Sequence, residues 1–241
     1  MQHKRALIVV DVQNDFLPGG PLGVVSGDAI LPIVSNLIDH GEWDLVVMTQ
    51  DWHPTDHISF ASNHEGCKPF EMIDLPYGPQ VLWPTHCVAG SEGAKLSWVI
   101  GDSGADLIIR KGQDKNIDSY SAFCAADGKT TTGLEAYLKA HKIDEIIVCG
   151  IATDFCVSFT ALDGAKAGFK TSVVMDASAA IDTNGSLAAA RAAWAKAGIC
   201  EVMSTDYVES LENEGKRRKD TRRTTTPYAA RVVFGLSKRH H

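Results

Sequence analysis

Much that would mark this chain as a membrane, secreted or nucleic-acid protein is missing. No run of 18 apolar residues occurs in its 241 residues, so no membrane-spanning helix is expected. An apolar, β-branched run begins within a few residues of Met1, which leaves no room for a signal peptide and points to the cytoplasm. The six cysteines, at 67, 87, 124, 149, 156 and 200, form no C-x-x-C pair and no regular framework, so they are expected to be reduced thiols. No internal repeat is found, and low-complexity sequence is confined to the C-terminal end. What remains is an ordinary globular composition, 44% hydrophobic and 22% charged, in a chain long enough for one full α/β core.

The net charge of −7 is divided unevenly. Residues 216–241 hold nine Lys/Arg and one acid, a balance of +8, against −15 for residues 1–215. A basic tail on an acidic body can bind a polyanion, but it also reads as a solvated extension, and nothing in the body looks built for nucleic acid.

Along the chain, strand-like and helix-like runs alternate. Strands are expected at 5–12, 45–49, 106–110, 145–151, 171–175 and 201–204. Helical periodicity covers 28–40, 133–141, 157–167 and 186–197. The segment 54–104, rich in Pro, Gly and His, reads as one long functional loop. This alternation implies a doubly wound, mainly parallel six-stranded sheet with helices on both faces, whose functional groups gather beyond the carboxyl ends of the strands.

Four such ends carry chemistry. Asp11 closes the first strand, Asp51 and His53 follow the second, Lys111 ends the third, and Cys156 follows the fourth. Thr153 and Asp154 are N-cap residue types, which puts Cys156 in the first turn of a helix. A helix dipole and a nearby ammonium would there favour thiolate over thiol. Taken singly, Cys156 could equally be an inert buried thiol, and Asp11 with Lys111 a structural ion pair. Together they suit nucleophilic acyl transfer, with Asp11 as proton carrier and backbone N–H groups after Gly150 receiving the oxyanion.

A second constellation is D-x-H at Asp51 and His53, with His57 four residues on and His86 later. One carboxylate with two or three imidazoles suits zinc, iron or manganese. His57 and His64 could instead be surface or supporting histidines, and Cys87 an ordinary thiol. Phe16 and Trp83 flank the two constellations in sequence and could sandwich a flat ring or pack in the core.

The segments D-V-Q-N-D-F-x-x-G-G, D-W-H-P-x-x-H, W-P-x-H-C-V-x-G, the Lys111–Gly112 strand end and G-I-A-T-D-x-C-V resemble those of nicotinamidases in the isochorismatase-like cysteine hydrolase superfamily, in order over residues 5–206. The resemblance implies hydrolysis of nicotinamide to nicotinate and ammonia through a cysteine thioester, in NAD salvage. It implies a triad of Asp11, Lys111 and Cys156 and an oxyanion hole from the N–H groups of Ala152 and Cys156 across a cis Ile151–Ala152 peptide. It further implies one divalent metal, zinc first, with iron or manganese as alternatives, on Asp51, His53 and His86. His57 matches a position that ligates in only some members. Phe16, Leu22, Trp83, Tyr120, Ile151 and Phe155 match the substrate pocket. The hydrolase domain is expected at 1–213 and a disordered basic tail at 214–241. Nicotinamide is the expected partner; neither nucleic acid nor membrane is, and a homo-oligomer stays open. An amidase for another small amide, or a non-catalytic metal- and thiol-binding protein, are the alternatives.

Overall fold

The computed structural model describes residues 3–209. The expected domain boundary at 213 and the basic tail lie outside them. In chain order the elements are β1 (Arg5–Val10), α1 (Leu31–His40), β2 (Leu45–Asp51), β3 (Met72–Leu75), β4 (Gly78–Val81), β5 (Leu107–Lys111), α2 (Leu134–Ala140), β6 (Glu145–Ile151), α3 (Ser158–Lys166), β7 (Lys170–Ala179), α4 (Ser186–Ala197) and β8 (Cys200–Val202).

Six strands form one parallel sheet in the order β5-β2-β1-β6-β7-β8. Its central strands are apolar without interruption because both faces are covered. The two-residue period of a strand divides them cleanly. Leu7 and Val9 of β1, Val46 and Met48 of β2, and Ile147 and Cys149 of β6 face α1, packing with Leu31, Val34 and Leu37. Ala6, Ile8 and Val10, with Leu45, Val47, Ile146 and Val148, face the other way, toward Leu134 and Leu138 of α2, Ala161 of α3 and Trp194 of α4. Each fully buried aliphatic side chain contributes about 1.5–3 kcal/mol over an exposed one.

The chain winds outward from β1 through β2 to β5, then returns to the centre and winds outward from β6 through β7 to β8. The reversal lies between β1 and β6, which opens a crevice at their carboxyl ends. Gly150 allows those ends to approach: with φ at 121°, an added Cβ would stand 2.1 Å from the Val10 carbonyl oxygen.

Three expectations change. The segment 54–104 is not one loop; it contains the β3–β4 hairpin, antiparallel and separate from the main sheet. The residues of β3 alternate between exposed and half-buried, too weak an apolar pattern to announce a strand. β7 runs to Ala179, past the expected end at 175, because the ladder with β6 shifts register between Val148 and Gly150 and pairs again at Ser178 and Ala179. Cys156 does not enter an ordinary helical turn, since residues Thr153–Val157 form a wider π-helical turn before α3.

Candidate active site

Asp11, Asp51, Lys111 and Cys156 converge at the crevice from β1, β2, β5 and the turn after β6. The β1–β2–β5 ladder brings Asp51 beside Lys111 in register. The Lys111 ammonium is fully buried and lies 2.8 Å from Asp11 Oδ2, 3.4 Å from Cys156 Sγ and 3.0 Å from the Ser119 carbonyl, and it also pairs with Asp51 Oδ1. Acceptor atoms of Asp11, Asp51 and Cys156 lie within 4.8 Å of one another. Thr49 Oγ1 donates to Asp11 Oδ1 at 2.6 Å and accepts the Asp11 backbone N–H at 3.1 Å. Asp11 itself has a positive φ of 49°, which turns the chain out of β1 as it delivers the carboxylate.

Burial dominates the electrostatics. It would by itself lower the Lys111 pKa, but Asp11 and Asp51 push it well above the ordinary value, so the ammonium stays charged. Burial raises the Asp11 pKa, with Asp51 adding and Lys111 opposing. Burial also pushes the Cys156 thiol well up; Lys111 opposes this, while Asp11 and Asp51 reinforce it. Desolvation and the two carboxylates thus work against the thiolate that the helix terminus and Lys111 were expected to favour, and Asp11 is the neighbouring carboxylate able to take the thiol proton.

Asp51 joins this centre to a second one. Its Oδ2 lies 3.6 Å from His53 Nε2 and 3.8 Å from His86 Nε2. Both rings are held from behind, His53 Nδ1 at 2.9 Å from the Gly112 carbonyl and His86 Nδ1 at 2.7 Å from the Pro84 carbonyl. A carbonyl can only accept, so each Nδ1 carries a proton, which leaves Nε2, turned inward, as the nitrogen able to ligate. Two ligands about 2.1 Å from one cation stand about 3.0–3.4 Å apart, so a contraction of a few tenths of an ångström would complete such a site. The donor set fits a divalent metal. Gly112, at φ 65°, permits the arrangement: a Cβ there would lie 2.3 Å from His53 Cε1. Burial raises the Asp51 pKa, but Lys111 and His53 hold it well below the carboxylate range. Burial opposes the charged His53 ring; Asp51 outweighs it and raises the proton affinity.

His57 stands apart from that trio. Its ring lies 4.1 Å from His53, but its Nδ1 is 2.7 Å from Ser59 Oγ and its Nε2 3.4 Å from the Ile117 carbonyl, and it groups with His53 and Asp118. His64 bonds the Ile58 carbonyl, and buried Cys87 is outside these clusters.

Both centres open onto one small, partly open cavity. Phe16, Leu22, Trp83, Tyr120 and Phe155 line it, with Ala152 and Cys156. Trp83 meets Phe155 edge-on at 5.0 Å and donates its indole N–H to Tyr120 at 2.9 Å. Ile151 does not line the cavity; it lies fully buried in the core two residues before the turn, joined to Ala152 by a cis peptide.

Sequence reasoning missed several contributors. Asp118 and Ile181 line the cavity. Phe60, fully buried, packs on His53, His57 and His86 at 5.4–5.6 Å. Gln13 clamps Asp51, accepting its N–H at 2.8 Å and donating to its carbonyl at 2.9 Å. Only Gln13 carries a signal, since it sits two residues past Asp11 within the D-V-Q-N-D-F segment.

Comparison with known proteins agrees with this geometry. The Isochorismatase domain model matches residues 5–207. The chain is 54% identical over 203 residues to a nicotinamidase of Acinetobacter baylyi, covering 84% of this chain and 94% of that one. A solved nicotinamidase pyrazinamidease from Acinetobacter baumanii superposes with a TM-score of 0.82 at 52% identity, covering 86% of this chain and 99% of the other. The pyrazinamidase of Pyrococcus horikoshii in complex with zinc superposes at 0.67 with 34% identity, covering 83% and 99%.

Proposed function

The chain belongs to the isochorismatase domain family, and from that premise we propose that it is an amidase that hydrolyses nicotinamide to nicotinate and ammonia through a thioester on Cys156. One observation carries the assignment of roles. The Lys111 ammonium touches Asp11 and the Cys156 sulfur at once, beside a cavity walled by aromatic rings.

The steps follow from the charges. Asp11 takes the Cys156 thiol proton when substrate fills the cavity and excludes water. Lys111 holds the carboxylate in place and offsets the charge on sulfur. The sulfur attacks the carboxamide carbon, and the oxyanion is received by the backbone N–H groups of Ala152 and Cys156. Asp11 then gives its proton to the departing nitrogen, which leaves as ammonia and the carbonyl stays as a thioester. In the second half Asp11 takes a proton from water as it attacks the thioester, and returns it to the thiol as nicotinate leaves.

Asp51, His53 and His86 would hold a divalent cation, zinc in this reading, with His57 as an auxiliary neighbour. Bound there, it supplies a Lewis-acid site for the pyridine nitrogen and so orients the ring. Phe16, Trp83 and Phe155 grip the ring faces and edges, and Tyr120 braces Trp83. The catalytic domain spans 1–213 with a dispensable tail, the enzyme is cytoplasmic, and its product feeds NAD salvage. No described helix is long and apolar enough to cross a membrane.

The test is ammonia release from nicotinamide by the purified full-length chain, with metal analysis of the same preparation. Rapid release from nicotinamide with near-stoichiometric metal supports the reading. Turnover of other small amides but not nicotinamide would overturn it.

A further inference from the structure

Three consecutive residues after the β6 strand end point in three directions. Cys156 faces Lys111. Phe155 joins Trp83 and Tyr120 in the cavity wall. Asp154, 5% exposed, turns away from both. Its residue type suits a helix cap, but the cap position falls on Ala152 and Asp154 lies within the turn. Its carboxylate instead reaches 27 residues along the chain. Oδ1 accepts the Ile181 N–H at 3.0 Å, Oδ2 accepts the Asp182 N–H at 2.8 Å, and the Ser186 hydroxyl donates to Oδ2. Two successive backbone N–H groups converging on one anion form a concave binding nest. Asp182 has a positive φ of 50°, a conformation that a non-glycine residue holds only when its surroundings enforce it. The first residue of that nest, Ile181, is the one that lines the catalytic cavity.

We propose that Asp154 is a positioning residue that sets ring affinity: by clamping residues 181–186 to the nucleophile turn it holds Ile181 against the substrate ring. The inference rests on the amidase reading above and deepens it. The wider π-helical turn makes the geometry available, because it spreads successive side chains differently from an α-helical turn and lets nucleophile, aromatic wall and clamp leave from adjacent positions. A carboxylate suits the task better than an amide, since it accepts all three bonds at once.

A residue that served only the fold would weaken every property of the site together. A clamp on one wall affects binding of the ring and leaves the thiol alone. Asp154→Asn keeps the shape and only part of the acceptor capacity. It should raise KM for nicotinamide about tenfold with kcat within about threefold. Alkylation of Cys156 by iodoacetamide, a small reagent that needs no ring wall, should stay within about twofold of wild type. Ile181→Ala should reproduce the KM rise, and the double variant should be no worse than the larger single effect, because both remove the same contact. Ser186→Ala, which deletes one bond of the three, should show the same pattern at about threefold and serves if Asp154→Asn does not fold. Nicotinate affinity, read by quenching of tryptophan fluorescence, should fall in parallel in each variant.

Loss of alkylation, a collapse of kcat at unchanged KM, or additive effects of Asp154→Asn and Ile181→Ala would overturn the proposal. Absence of ammonia release by the wild-type chain would instead overturn the amidase reading. Wild-type protein that releases ammonia, with variants that bind nicotinate as tightly, rejects the clamp alone.

Discussion

The two halves of the site are held by different means. Asp11 and Lys111 stand at the ends of β1 and β5 and Cys156 in the turn that follows β6, and the parallel ladders of the sheet set the spacing of those strands. His53 and His86 lie between β2 and β5 on a segment held together by its own isolated bridges, His53 with Val88 and Phe60 with Trp83, and tied to the rest by contacts such as the Gln13–Leu96 bridge and the hydrogen bond of His53 to the Gly112 carbonyl. The first half is made of buried charges on a rigid frame, where removing one partner strands the others. The second is made of imidazole donors, each oriented by one bond from behind. Asp51 belongs to both, with one oxygen toward Lys111 and the other toward the histidines. On the proposed mechanism, the chemistry of bond cleavage and the chemistry of substrate orientation can be separated by experiment, even though they share a carboxylate.

The sharpest way to break the comparison is Cys156→Ala. It should lower nicotinamide turnover by at least about 10⁴-fold while metal content and nicotinate binding persist. Appreciable ammonia release by the folded variant would mean that the second half does the hydrolysis itself. Stripping the metal, or His53→Ala, should reduce kcat/KM about 10²-fold yet leave the rate of Cys156 alkylation within about twofold. Parallel loss of both would show that the halves are one unit.

A pH series sharpens the contrast further. Burial opposes protonation of His53, but Asp51 outweighs it and raises the pKa above 6.5. A protonated ring cannot ligate, so metal affinity should be lost as pH falls through that raised pKa, by about tenfold per unit below it. Competition with a metal-binding dye between pH 8 and 5 measures this, and affinity that is flat across the range would contradict the ligand assignment. The smallest effect should come from truncation after Asn213, expected to leave kcat and KM within about twofold because the matched domain ends before it. A larger loss would show that the tail serves one of the two halves.

The first half of the site is legible in the amino-acid sequence alone. A buried parallel strand needs an unbroken apolar run, so its polar terminus is visible in the letters, and Asp11, Asp51, Lys111 and Cys156 all sit at such a break. The sheet and its winding are legible for the same reason, since they follow from short-range periodicity. What the letters lack is anything settled by distant partners. The β3–β4 hairpin has no clear period, and β7 runs on past 175 because its extra residues find partners on β6. Asp118 and Ile181 carry no local mark of lining a cavity; only the folded chain brings them to one. Asp154 looks like a helix cap in sequence and is a long-range clamp in space. The balance of forces on the Cys156 thiol is likewise out of reach of the letters, because desolvation depends on everything packed around a group, whereas a sequence shows only its neighbours along the chain.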